Sequence, residues 1–505
     1  MTSRLTRRLS AQDAAFLYWE RSAASLHIGS LGVYEGRIPF DRFVEQLDAR
    51  MPRLPRYRQR VMFVPFSLAQ PTWEDDPDFQ VRHHVHRVSL PPPGNEQQLA
   101  DLAAELFAQP LDRAKPLWEM FVIDGLEDRR TGILSKVHHC LVDGVSGIEL
   151  LMVILDLSPD PVPEPDPAPW APGPLPEPGA MMVDAFWAGL GQQLEMLHEF
   201  QEALIDPRPR LQQTQDILRA LSQAAPPSAQ SRTRPLFAAQ LRPERRVAFS
   251  EMSFVEIREI RASLGGTVND VVLAILAGTL RRYLVLHDHR IDGFEPRVVI
   301  PVNIRVEGEE GGLGNRISCM ITSLPIDEAD AAARLRVIHE RVDLLKQTNQ
   351  AGGLELLTRL AARAPVPVQA LAAQAPAGNA PVDLICTNVP GPMIPLYSVG
   401  HLMLAHYPMV PLSFDMGLAV GVTSYNQRLY FGLMADPKAL PDLARLKQCL
   451  DESFLELRNA AGVAAFDLPA FKGQPGQNGG AEVAQQPAQA RPARKKTPRS
   501  GAQRR

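Results

Sequence analysis

Ten prolines occupy every second position from Pro159 to Pro169 and again from Pro172 to Pro178, and they set the strongest limit on how this chain can fold. A proline nitrogen has no hydrogen to donate and its ring fixes φ, so such a run neither joins a sheet ladder nor continues a helix. It reads as an extended spacer crossing the surface, and it divides the 505 residues into unlike parts. The expected organisation is a first domain over 1–157, the proline-rich linker 158–180 and a helical connector and linker over 181–244. A second domain over 245–466 and a disordered basic tail over 467–505 follow.

Each part carries its own periodicity. The pattern predicts helices over 13–19 and 97–107 and a buried strand over 132–137, where Ile133, Leu134 and Val137 fall. Beyond the spacer, Phe186, Leu190, Leu194, Met196, Leu197 and Phe200 have the spacing of an amphipathic helix, or of a pair broken near Pro207 and Pro209. Its apolar stripe is expected to pack on a core. Val268, Val271, Val272, Leu273, Ile275, Leu276 and Leu280 predict a buried helix, with Asn269 and Asp270 near its start, where polar side chains cap or accept backbone donors. Runs at 297–301 and 384–387 read as strands. Helices and strands mixed in both halves give an α+β (mixed α/β) class.

Composition excludes several roles. A content of 45% hydrophobic residues suffices for large cores, while 53 basic against 57 acidic residues leave no global field for nucleic acid. Cys140, Cys319, Cys386 and Cys449 lie too far apart to form a disulfide framework, as suits a reducing compartment. The basic N-terminus runs into Ser10-Ala11-Gln12-Asp13 where a signal core would be apolar, and no apolar run reaches the 18 or so residues of a spanning helix. A cytoplasmic protein is expected, able to touch the inner face of a membrane or a lipid droplet. The tail cations Arg491, Arg494, Lys495, Lys496, Arg499, Arg504 and Arg505 come without any nucleic-acid-binding motif.

The chemistry concentrates in His138-His139-Cys140-Leu141-Val142-Asp143-Gly144, directly after the predicted strand. A neutral imidazole held there can take a proton from a hydroxyl or thiol and return one to a leaving group, the need of acyl transfer. The Asp143 carboxylate suits bracing the loop, and Gly144 a tight turn. Adjacent histidines are also ordinary core or surface residues, so the motif alone does not decide. Zinc would need three or four convergent ligands, yet no C-x-x-C pair occurs, and His83, His84, His86, His401 and His406 show no spacing that completes a set. A nucleophilic Cys140 is disfavoured because neighbouring strand side chains point to opposite faces.

Taken in order, several landmarks say more than any one. They are Leu9-Ser10 through Asp13, His27-Ile28-Gly29, Pro116-Leu117-Trp118-Glu119, the 138–144 motif and Asn269-Asp270; then Pro301-Val302-Asn303-Ile304-Arg305, Gly314-Asn315 and Asn388-Val389-Pro390-Gly391-Pro392. On these the chain resembles the bacterial wax ester synthase/diacylglycerol acyltransferase family over most of its length. The resemblance implies a two-domain fold like that of chloramphenicol acetyltransferase, plant acyltransferases and condensation domains, with an active-site channel between the domains. It implies transfer of a long-chain acyl group from acyl-CoA, a substrate and not a cofactor, to diacylglycerol or a fatty alcohol, giving triacylglycerol or wax ester.

In this reading His139 is the general base, His138 shapes the site, Asp143 and Asp270 are structural carboxylates, and Asn269 is an oxyanion donor. Pro116, Leu117, Trp118, Gly144, Asn388, Pro390, Gly391 and Pro392 border the channel, and neither a metal nor a cofactor is called for. The proline-rich spacer and the tail depart from the simplest family pattern. Transfer to another alcohol or an amine, and a lipid-surface protein without turnover, are the alternatives.

Overall fold

From the N-terminus the chain forms α1 (Ala11–Trp19), β1 (His27–Tyr34), α2 (Phe40–Arg50), β2 (Gln59–Met62), β3 (Thr72–Asp75), β4 (Val85–Ser89), α3 (Glu96–Ala108), β5 (Trp118–Asp124), β6 (Thr131–His138), α4 (Gly147–Ile154) and α5 (Pro178–Ile205). It continues with β7 (Arg246–Ser253), β8 (Arg297–Asn303), β9 (Ile317–Ser323), β10 (Leu384–Val389), β11 (Tyr397–Ser398), β12 (His401–Met409), β13 (Leu418–Tyr425) and β14 (Arg428–Ala435). The later helices include Phe254–Leu264, Val268–Leu286, Ala331–Gln347, Val366–Gln374 and Leu443–Ala460. The computed structural model describes residues 7–141, 147–161, 170–205, 215, 217–220, 222, 237, 240–303, 317–374 and 382–466.

Helix starts follow their capping residues. Ser10 accepts the Asp13 amide at the start of α1. Asn95 and Gln98 form a reciprocal capping box on α3, and Thr267 and Asp270 form another on Val268–Leu286. Asp270 thus closes the capping box from the third helical position, with Thr267 supplying the N-cap.

Two six-stranded sheets make this a mixed α/β fold, one ordered β11-β12-β1-β6-β5-β4 and the other β7-β14-β13-β10-β8-β9. The first buries Leu31, Leu134, Val122 and Ile123 beneath α2 and α3, and the second is built on Val268–Leu286, whose residues from Val271 to Ala277 are nearly inaccessible. β11 and β12 lie late in the chain yet complete the first sheet, with β12 antiparallel to β1. Facing glycines let this strand cross the second sheet. Gly421 is opposite Gly432, and a Cβ on Gly432 would come within 1.8 Å of the Pro408 carbonyl oxygen. The Tyr425 and Tyr430 hydroxyls donate to the carbonyls of Met403 and Leu404 at 2.8 and 3.1 Å, fastening the crossing.

The proline spacer and α5 differ from expectation. The helix begins inside the spacer, at Pro178, because proline is tolerated in a first helical turn. Of its apolar stripe, Phe186 and Leu190 are exposed, as is Trp187, whereas Met181 and Ala185 are buried; the side chains of Leu194, Met196, Leu197 and Phe200 lie outside those described. Pro207 and Pro209 lie outside the described residues.

Candidate active site

β6 ends on His138, and its ladder continues for one residue, the His139 N–H donating to the Leu26 carbonyl at 2.9 Å. Register sets His138 beside His27 of β1. Side chains alternate along a strand, so the two consecutive imidazoles leave on opposite sides of the sheet. The His27 side lies against α3, where His27 Nε2 meets the Phe107 carbonyl and the two rings stand edge to face at 4.5 Å. On the same side Lys136 is fully buried, donating to the carbonyls of Leu106 and Gln109 and pairing with Glu119 at 2.9 Å.

His138 is enclosed. The Cys140 N–H donates to its Nδ1 at 3.2 Å, and the Cys140 Sγ lies 2.9 Å from the same atom. Accepting at Nδ1 leaves the hydrogen of the neutral ring on Nε2, which faces Glu20 Oε1 at 3.6 Å. Glu20, capping the C-terminus of α1, also accepts from the Leu26 N–H at 3.0 Å and from Arg113 Nη2 at 2.6 Å. Burial pushes the Glu20 carboxyl up, but His138, Arg113 and the Leu26 amide outweigh it and hold it at about 2. Burial raises the Cys140 thiol well above its usual range, which opposes the thiolate that a nucleophile requires.

His139 has different company. Its ring stacks on Phe16 of α1, with centroids 4.0 Å apart and planes 13° from parallel. Phe16 stands edge-on to Trp19, and Trp19 to Phe414. Nδ1 is shut in without a hydrogen-bond partner. Burial depresses the ring to about 4, its own backbone carbonyl opposing and the neighbouring His138 adding to the effect. The side chain as a whole is only half-buried, and Ile28, Ser30 and Ser135, in the middle of the sheet on the same side, are half-buried too. The ring is thus neutral near pH 7 and keeps part of its surface exposed.

The other expected residues fall in three places. Pro116, Leu117 and Trp118 are buried behind the end of β6, where the Leu117 carbonyl accepts the His138 N–H at 2.9 Å. Trp118 donates Nε1 to the Tyr57 carbonyl at 2.8 Å and stacks on His84 at 4.5 Å.

Asn269 is half-buried in the first turn of Val268–Leu286, and Asp270 beside it accepts from the Thr267 amide at 2.8 Å and meets His339 Nδ1 at 2.9 Å. Asn388 lies near the end of β10, and Pro390, Gly391 and Pro392 follow that end. Gly391 is required there for space and not for conformational freedom, since a Cβ would lie 1.9 Å from the Ser424 carbonyl oxygen and its φ is ordinary. No hydrogen bond, ion pair or ring contact among the described residues joins His139 to Asn269 or to this turn. Asp143 and Gly144, with Ile304, Arg305, Gly314 and Asn315, lie outside the described residues. No cluster of three metal-ligating side chains occurs among those described.

Sequence reasoning missed Glu20 and Phe16. Each looks like an ordinary residue of an amphipathic helix, and the only local cue is an acidic residue closing the aromatic run Phe16-Leu17-Tyr18-Trp19.

The wax ester synthase/diacylglycerol acyltransferase catalytic domain matches residues 9–272, and the C-terminal domain of the same family matches 313–458. A protein named probable diacylglycerol O-acyltransferase tgs1, from Mycobacterium tuberculosis, is 31% identical over 470 residues, covering 89% of this chain and 95% of the relative. The solved wax ester synthase/diacylglycerol acyltransferase of Marinobacter aquaeolei is similar over 90% of this chain and 100% of its own, with 27% identity and a TM-score of 0.62. The first condensation domain of the CDA synthetase shares the fold at 14% identity and a TM-score of 0.57, over 91% of this chain and 97% of its own.

Proposed function

Because the chain belongs to the wax ester synthase/diacylglycerol acyltransferase family, we propose that it moves a long-chain acyl group from acyl-CoA to diacylglycerol or a fatty alcohol, with His139 as the base. The observation that carries this reading is the contrast between the two ring nitrogens. Nδ1 is enclosed without a hydrogen-bond partner while the residue as a whole stays partly exposed, and Nε2 is the nitrogen assigned to the substrate. A hydrogen on Nδ1 then leaves the Nε2 lone pair for substrate.

The acceptor oxygen attacks the thioester carbonyl carbon as its proton passes to Nε2. A C–O bond forms, the tetrahedral intermediate collapses, the C–S bond breaks, and the proton on Nε2 goes to the departing thiolate. The depressed basicity of the ring has two consequences. It keeps the imidazole neutral and ready, and it makes the transient imidazolium a strong acid towards the thiolate.

His138 shapes the site through the Cys140 turn, Asp143 and Asp270 brace their segments, and Asn269 contributes a donor to the oxyanion. Pro116, Leu117, Trp118, Gly144, Asn388, Pro390, Gly391 and Pro392 line or back a channel between two domains arranged as in chloramphenicol acetyltransferase, over 1–157 and 245–466. Each acyl methylene buried in such a channel contributes about 0.8 kcal/mol, so chain-length preference accumulates quickly. The protein works in the cytoplasm in peripheral contact with the inner membrane face or a lipid droplet.

The test is product-resolved mass spectrometry after the purified protein meets a long-chain acyl-CoA with hexadecanol or with a diacylglycerol. Wax ester or triacylglycerol that requires the protein is the expected result. Folded protein that forms neither product overturns the reading.

A further inference from the structure

Only Asp184 is charged among residues 178–191 of α5, yet most of this stretch is not buried. Met181 and Ala185 pack on Val64, while Val183, Phe186 and Trp187 are 57%, 66% and 63% exposed. A helix apolar on every side normally belongs inside a protein. The adjoining loop adds Phe66 at 83% exposure and Leu68, and the helix Val366–Gln374 adds Leu371. Gln70 Nε2 donates to Gln369 Oε1 at 3.0 Å and ties the loop to that helix. Three segments distant in sequence thus share one apolar surface, of a kind that soluble chains rarely leave bare.

Two further features say what covers it. Phe66 and Ser67 hold φ at 57° and 52°, a region disfavoured for L side chains, and the outcome is an aromatic ring presented to the outside. Arginines stand at the rim: Arg113 lies over the Phe63 ring at 5.9 Å, Arg58 over Trp170 at 4.8 Å, and Arg8 donates to the Gln70 carbonyl. Exposed aromatic rings bordered by guanidinium groups match the order of a lipid interface, with acyl tails below and phosphates above. The surface also adjoins the site, since the Tyr18 hydroxyl of α1 meets Gln70 Oε1 at 3.3 Å and the same helix carries Phe16 to His139.

We propose that this face, formed by α5, the Phe66 loop and the Val366–Gln374 helix, docks on a phospholipid surface and that lipid acceptors pass along α1 to His139. The second half rests on the acyl-transfer reading, whereas docking does not. The contact is made by a surface and not by a span. Among the described residues no single helix is long and apolar enough to cross a membrane, and the one bent pair that qualifies by length, Phe254–Leu264 with Val268–Leu286, belongs to the second core.

The experiment measures partition of the full chain onto phosphatidylcholine vesicles, with and without phosphatidylglycerol, for the parent and for the combined variant Phe66→Ser, Phe186→Ser and Trp187→Ser. Partition should fall at least about tenfold, should rise with phosphatidylglycerol in the parent, and should leave transfer to a water-soluble short-chain alcohol within about twofold. Brominated lipid should quench the parent's emission and lose most of that effect in Trp187→Phe, which tests the contact even if the triple variant fails to fold. Unchanged partition with unquenched Trp187 overturns the proposal. So does light scattering that shows a parent dimer and a variant monomer, because the face would then join two copies. A parent that binds vesicles but transfers nothing overturns the functional reading and leaves docking standing.

Discussion

The two sides of the first sheet carry adjacent histidines in opposite circumstances. On the α3 side His138 is 1% exposed and meshed with Cys140 and Glu20, next to His27 and close to the buried Lys136. On the α1 side His139 has an aromatic neighbour, one enclosed nitrogen and an accessible remainder. A tightly enclosed polar cluster holds a shape, and a neutral imidazole that keeps part of its surface exposed can do chemistry. The difference teaches that a single step along a strand separates a fully enclosed imidazole from a partly exposed one.

Substitutions that ought to affect one side alone test this contrast. The largest effect is expected for His139→Ala, with kcat lower by about 10²–10⁴ and little change in thermal midpoint; a folded variant with parental kcat removes the ring from the mechanism. Next comes Asp270→Ala, which strips the cap of Val268–Leu286 and leaves His339 without its carboxylate. Its cost is about 2–4 kcal/mol of stability in denaturant titration, and a shift below half that value would show the capping box to be dispensable.

Glu20→Gln should cost about 1–3 kcal/mol and also lower kcat, with Glu20→Asp recovering part of both. If kcat stays parental while stability drops, the Glu20–His138 contact is purely architectural.

The buried imidazoles set the acid response. His27 is lowered to about 3, and His139 and His406 to about 4, in each case chiefly by burial. Their unfolded forms protonate near 6.5, so the unfolded chain binds more protons as pH falls from there to about 4, and stability drops by up to about 1.4 kcal/mol per pH unit for each ring. Glu20 adds its loss later, between its unfolded value near 4.5 and its folded value of about 2. A flat urea midpoint from pH 6.5 to 5 would contradict these burials. The smallest effect is expected for Trp118→Phe, about 1 kcal/mol for the lost bond to the Tyr57 carbonyl, with kcat nearly kept.

Local chemistry made part of this readable in advance. Apolar spacing located the helices near 97–107 and from Val268, with Asp270 near the start of the second because caps act within four residues, and the strand before the histidines shows as an apolar run with a polar end. The opposite facing of the two histidines follows from strand alternation once the strand is located.

What stayed hidden depends on contacts remote in sequence. Nothing near His401–Met409 announces that it pairs with β1 across some 370 residues, or that Gly421 and Gly432 clear its path. Glu20 matters only because the fold brings Arg113 and His138 to it. The spacing of Phe186 and Leu190 revealed a helix but not its surroundings, since an apolar stripe looks alike whether it meets a core or a lipid surface. The need for glycine at Gly391 arises only because the fold brings the Ser424 carbonyl against it.

The central claim is that Nε2 of His139 offers a bare lone pair at neutral pH. Nitrogen-15 resonances of histidine-labelled protein, with His139 assigned by its absence in His139→Ala, test it directly. The account predicts a neutral ring protonated on Nδ1 with an unprotonated Nε2 at pH 7. A hydrogen on Nε2, or an imidazolium at that pH, would contradict it, because such a ring could not take the acceptor's proton at the accessible atom.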